Sequence, residues 1–110
     1  LVRLVGRGAA LRMMLTATVI GAEEALRLGL VQQVAPAAEL MAQARAMAAT
    51  IAAMAPLAVE GVLEAVEHGG SIEGGLLAEA HIFGRLCGTA DKQEGVTAFL
   101  EKRKPMWIGK

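Results

Sequence analysis

The stretch Gly21-Ala22-Glu23-Glu24-Ala25-Leu26-Arg27-Leu28-Gly29-Leu30-Val31-Gln32-Gln33-Val34-Ala35-Pro36 decides how the rest of the chain is read. Ala25, Leu26 and Leu28 give a short helix its apolar face, with Glu23, Glu24 and Arg27 toward water. Acids in the first turn and an arginine near the end complement the helix dipole. Gly29 can take the left-handed conformation that stops a helix at little steric cost. Leu30-Val31, continuing to Val34, predicts an extended segment that Pro36 closes. The pattern is that of a helix–turn–strand connector.

On its N-terminal side, Gly6-Arg7-Gly8 separates Leu1–Val5 from a helix over about Ala9 to Leu15, with Leu11, Met14 and Leu15 on one side. Thr16-Ala17-Thr18-Val19-Ile20 is β-branched and predicts extended backbone. On the C-terminal side, the longest helix opens at Ala37-Ala38-Glu39 and ends near Met54. Leu40, Ala44, Met47, Ile51 and Met54 recur at spacings of four and three, a seam for another helix. Pro56 suits the first turn of the next helix, which Gly69-Gly70 stops after Glu67 or His68. Gly61 inside it costs roughly 1 kcal/mol relative to alanine, which points to a closely packed neighbouring backbone.

Ser71 is the N-cap of a further helix, with Leu76, Ala80, Phe83 and Cys87 as its apolar stripe and Gly88 at its end. The last helix starts on Asp91 as N-cap, with Glu94 three residues on as in a capping box. Val96, Phe99 and Leu100 are its expected buried face, and Lys102, Arg103 and Lys104 favour its negative end before Pro105. The fold class is therefore mainly α, with about five to six helices and short extended segments.

Composition narrows the function. Eleven basic and eleven acidic side chains cancel, and only Phe83, Phe99 and Trp107 are aromatic, so neither the charge nor the stacking platform of a nucleic-acid binder is present. Cys87 is the single cysteine, which rules out an internal disulfide framework and suits a reducing, cytoplasmic setting. With only His68 and His81 beside it, nothing has metal-ligand spacing. The apolar run Ala46 to Val59 is alanine-rich and broken by Pro56, too short and weak for a bilayer. An apolar share of 55% is more than so short a chain can bury internally, so some of that surface is expected to face further chain or other subunits. With Leu1 in first position and the mid-element look of Leu1–Gly6, this sets the expectation of a portion of a longer protein.

Candidate chemistry is sparse. Glu60, Glu64 and Glu67 lie at helical spacing and read as a solvated face rather than a carboxylate site. His81 has no acid or nucleophile tied to it by sequence. Cys87 falls on an apolar stripe and reads as an inert buried thiol, and the methionines as core or interface filler. Phe99 and Lys102, three apart on one helix face, could offer a ring and a cation to a nucleotide. A core phenylalanine beside a lysine that satisfies the dipole fits the same residues.

The residue order adds a resemblance. The organising stretch resembles the A-E-E-A-L-x-L-G-L-V-x-x-V-x-P block of the enoyl-CoA hydratase/isomerase (crotonase) family. Leu1–Gly6 is similar to that family's L-x-R-x-V-G, and Met14-Leu15-Thr16 with Ile20-Gly21-Ala22 to its M-x-L-T-G-D-x-I-x-A. Pro56-Leu57-Ala58 matches a helix opening, and Thr89 to Pro105 resembles the terminal T-x-D-x-x-E-G-x-x-A-F-x-E-K-R-K-P. Ala17-Thr18 departs from Gly-Asp, Leu63 from a common lysine, and Trp107 from a frequent phenylalanine.

The resemblance implies residues 1–110 of a crotonase-type enzyme's C-terminal segment, with the β-β-α spiral that holds the thioester upstream. The implied reaction is hydration of the 2,3 double bond of an enoyl-CoA, with isomerase or other acyl-CoA lyase chemistry as alternatives. A non-catalytic helical oligomerisation module is a further one. In the family two backbone N–H groups polarise the thioester carbonyl and two glutamates handle the water. All of these lie upstream of Leu1, so no catalytic residue is expected here and this stretch alone is expected to be inactive. The implied role is trimer interface (trimers or dimers of trimers), cover for the acyl pocket, and contact to CoA through Phe83, Phe99 and Lys102. No separate cofactor is implied, because coenzyme A arrives as part of the substrate.

Overall fold

A computed structural model describes all residues, 1–110, as six helices without strands. These are α1 (Val2–Thr16), α2 (Ala22–Arg27), α3 (Leu40–Ala52), α4 (Pro56–His68), α5 (Ile72–Cys87) and α6 (Ala90–Glu101). The mainly helical expectation holds. Two compact units are formed, Leu1–Ala44 and Arg45–Lys110.

In the first unit α1 is two helical pieces joined at Gly6, whose φ of 78° and ψ of 162° interrupt the helix where the sequence placed its break. Ala10 is fully buried, and α2 buries Ala25. Glu24 accepts hydrogen bonds from Arg27 Nε and Nη2, both at 2.6 Å, and stands 3.5 Å from Arg12 of α1. The Arg27 hydrogen bond holds the Glu24 carboxyl below its ordinary range. Gly29, at φ 73°, closes α2 as expected: Leu30 N–H bonds to Ala25 O at 2.9 Å and Gly29 N–H to Leu26 O at 3.0 Å.

Both extended segments are corrected. α1 runs on to Thr16 and ends on Ala17 in the left-handed region (φ 49°), while Leu30 and Val31 stay in the turn after Gly29. A strand needs a partner for its backbone N–H and C=O groups, and no ladder forms beside either segment. α3 begins at Leu40 rather than Ala37, and the residues before it form a turn in which the Glu39 and Leu40 N–H groups bond to Pro36 O. The Leu40, Met47, Ile51 and Met54 seam is real as a pattern but stays exposed, and α3 buries no side chain.

The second unit is built on the pairing of α4 with α5. Pro56 opens α4 at its first turn, and the Ser71 hydroxyl caps α5 by accepting from Gly74 N–H at 3.1 Å. Gly61 is buried at the crossing, where a Cβ would stand 2.8 Å from Ile82 Cγ2 and 3.2 Å from Leu86 Cδ1. A close approach is therefore present at this glycine, but it is made by the side chains of Ile82 and Leu86 and not by the neighbouring backbone that was expected. An Arg85–Glu64 ion pair flanks it.

The notch at Gly61 also sets the rotation of α5. Ile82 and Leu86 turn inward to fill it, so the expected stripe of Leu76, Phe83 and Cys87 faces out and the Cys87 thiol is exposed, not buried. α6 differs in the same way. Ala98 is its buried apolar residue (1% exposed), whereas Val96, Phe99 and Leu100 are exposed.

Candidate functional site

The start of α6 is capped by Thr89, whose Oγ1 accepts from Lys92 N–H at 3.1 Å and donates to Leu86 O at 2.8 Å. Asp91, expected as the cap, lies inside the first turn and is 3% exposed. Its carboxylate is engaged elsewhere. Oδ1 accepts from Ile108 N–H at 2.7 Å and Oδ2 from Gly109 N–H at 2.9 Å, while Asp91 N–H donates to Lys110 O at 3.0 Å. A carboxylate accepting two backbone N–H groups in a buried place is a strong, charge-assisted anchor.

Glu94 also departs from the capping-box role. It accepts Arg103 Nη1 at 2.6 Å and Nη2 at 2.9 Å as a two-pronged pair, and Met106 N–H at 2.7 Å. Arg103 Nε reaches Glu101 at 2.7 Å. The Arg103 bonds, then the Met106 N–H, pull the Glu94 carboxyl down to about 2. The same carboxylates raise Arg103 above its ordinary value.

Between these anchors Trp107 crosses the helix at Gly95. A Cβ on that glycine would stand 3.1 Å from Trp107 Cη2, and the indole Nε1 donates to Ala53 O at 3.0 Å. The residues Met106–Lys110 thus form a strap tied to α6 at both ends and to the segment before α4 in the middle.

The strap gives a pH prediction. Glu94 has a folded value of about 2 against an ordinary 4.5, so its contribution is complete above pH 4.5 and is lost as pH falls toward 2. Trp107 is the only tryptophan, so its emission reads strap release directly. A red shift is expected on acidification through that window. Glu94→Gln should show the shifted emission already at neutral pH and lose this part of the transition.

Beside the strap lies a groove of about 360 Å³, lined among others by Phe83, Leu86, Cys87, Val96 and Trp107. A second apolar hollow of about 430 Å³ is formed by Ile51, Met54, Ala58, Val59, Val62 and Leu63. Of the three residues expected to meet CoA, Phe83 lines the first groove and is 68% exposed. Phe99 is 82% exposed one helical turn beyond Val96, and Lys102 is exposed at the end of α6 without an ion-pair partner. Phe99 and Lys102 are not part of the groove wall.

Lys102 has φ 53° and ψ 39°, a left-handed backbone that costs an L residue about 1–2 kcal/mol. Arg103 N–H bonds back to Ala98 O at 3.0 Å across this turn. The glutamates of α4 form no cluster for chemistry, since Glu64 is paired with Arg85 and its carbonyl meets His68 Nδ1 at 2.8 Å. His81 is exposed, and no three His, Cys, Asp or Glu side chains are grouped as a metal would need. Sequence reading missed the Glu94–Arg103 pair and the strap. Their signal, an acid and an arginine nine residues apart across a helix end, means something only once the chain is seen to turn back.

Comparison with known proteins places this geometry. The family model described as enoyl-CoA hydratase/isomerase matches residues 1–110. A crotonyl-CoA hydratase of Syntrophomonas wolfei is 42% identical over 110 residues, 98% of this chain and 42% of that protein. A short-chain-enoyl-CoA hydratase of Clostridium acetobutylicum is 42% identical over 104 residues, 93% of this chain and 40% of that one. The crystal structure of an enoyl-CoA hydratase from Bacillus anthracis superposes with a TM-score of 0.93 at 37% identity, covering 99% of this chain and 43% of that structure. The chain thus spans less than half the length of the curated relatives it matches.

Proposed function

The chain belongs to the enoyl-CoA hydratase/isomerase family, and from that premise we propose that it is the C-terminal helical portion of an enoyl-CoA hydratase. The reaction is that of a lyase, adding water across the 2,3 double bond of an enoyl-CoA thioester. The observation that carries this reading is the identity of about 42% with two hydratases, running through nearly the whole chain. Acid/base groups and oxyanion donors belong to the part of the enzyme outside these residues. Residues 1–110 cover the acyl pocket and meet the CoA nucleotide through Phe83, Phe99 and Lys102. Taken by themselves they do not hydrate a thioester.

Assembly into trimers, or dimers of trimers, is the second element of the proposal. Its support is the exposed seam of Leu40, Met47, Ile51 and Met54 together with the apolar hollow beside it. Contiguous exposed apolar faces mark surfaces that something covers, and a second copy of the chain is the occupant proposed for this one. The protein works in the cytoplasm, a setting that its single unpaired cysteine suits, and takes no separate cofactor.

The test is hydration of crotonyl-CoA by the native gene product, with its intact mass measured under denaturing conditions. Hydration by a product well above 11.4 kDa is the expected result. A product of that mass without hydration would leave an assembly role in its place. Turnover of a 3-enoyl-CoA instead of crotonyl-CoA would move the assignment to an isomerase.

A further inference from the structure

The reversal at Lys102 is bracketed. Glu101 on one side and Arg103 on the other are joined through Arg103 Nε, and Arg103 is held in turn by the two prongs of Glu94. Lys102, between them, takes the left-handed backbone and has no partner for its ammonium group. The pairing occupies the carboxylates of Glu94 and Glu101 with a different cation. Without Arg103, both acids would be free to attract Lys102, which lies one residue from Glu101. Glu94 also fixes the strap just past this turn through Met106 N–H.

We propose that Glu94 is a positioning residue which, through Arg103, keeps the Lys102 ammonium group free and correctly placed for an anionic phosphate of coenzyme A. This rests on the reading of Lys102 as a CoA contact given above. Glu94 touches no substrate itself. Its action is to occupy Arg103 and Met106 so that the helix ends in one geometry, with the cation outside the ion-pair network. A fork-shaped guanidinium suits this, because two parallel bonds fix orientation as well as distance.

A double-mutant cycle on coenzyme A binding tests it, using the full native gene product and titration calorimetry. Lys102→Ala is expected to weaken binding about fivefold, the scale of an exposed charge pair. Glu94→Gln is expected to weaken it about threefold when Lys102 is present, and not at all in the Lys102→Ala background. Arg103→Gln, which leaves both carboxylates free to attract Lys102, should weaken binding more than Glu94→Gln when Lys102 is present, and likewise not at all in the Lys102→Ala background. A merely structural Glu94 would weaken binding by the same factor with and without Lys102, which overturns the inference while leaving the CoA reading standing. Unchanged binding in Lys102→Ala overturns the CoA contact itself, and the inference with it. Trp107 emission, shifted by Glu94→Gln and unaltered by Lys102→Ala, separates strap release from loss of the cation.

Discussion

Asp91→Ala is expected to destabilise the protein by about 3 kcal/mol, because two N–H groups lose a charged acceptor in a buried place. Those groups are the Ile108 and Gly109 N–H, at 2.7 and 2.9 Å. The effect should appear as a lower denaturation midpoint in urea with little change in slope. Asp91→Asn keeps a single acceptor oxygen and should cost about half as much. A helix cap would behave differently. Asparagine caps about as well as aspartate, so near-equality of Asp91→Asn with the parent would mean that capping, not the strap, is what this carboxylate does.

Gly61→Leu is the second large effect. The Cβ alone would press on Ile82 Cγ2 at 2.8 Å and on Leu86 Cδ1 at 3.2 Å, and a branched side chain built on it adds bulk at the same crossing of α4 and α5. Overpacking of this kind costs about 3 kcal/mol, and the helix pair carrying the second unit must separate to relieve it. Gly61→Ala is a useful contrast. Its gain of about 1 kcal/mol in helix propensity opposes the contact, but Ile82 Cγ2 sits on the β-carbon of a buried, β-branched residue and yields less readily than the Leu86 tip. A mildly destabilised alanine with a strongly destabilised leucine is the expected pair of results from thermal melts. If leucine is tolerated as well as alanine, the two helices do not approach as closely as the geometry states.

What was legible in the sequence was local. Gly29, Pro56, Ser71 and Gly88 act within a few residues of themselves, and each ends or opens a helix where reading placed it. Gly61 was legible too, because a glycine inside a helix has a conformational cost that packing explains. The faces were not legible. In a chain that is 55% apolar, several stripes on one helix look equally fit for burial, and the notch at Gly61 chooses Ile82 and Leu86 over Phe83 and Cys87. Asp91 and Glu94 misled for a related reason. Their spacing satisfies a local motif, but their partners at 106, 108 and 109 arrive only when the chain returns. The apparent strands at Thr16–Ile20 and Leu30–Val34 had the composition of strands without a neighbour to pair with. Of the candidate site, Phe83, Phe99 and Lys102 are three exposed side chains whose local sequence holds nothing that ties them to CoA; only the order of residues across the whole family block does.

The contact of Trp107 with Gly95 also limits how this chain can drift. The two atoms nearest a Cβ at position 95, Cη2 and Cζ3, belong to the six-membered ring at the far end of the indole. Alanine at 95 alone would meet that ring. Alanine at 95 together with Trp107→Phe would not, since the shorter side chain lacks the outer portion of the indole, although the bond to Ala53 O is given up. Positions 95 and 107 therefore exchange bulk as a pair: alanine at 95 presses the indole aside by a few tenths of an ångström when it arises first, and meets no such ring when the smaller one is already in place.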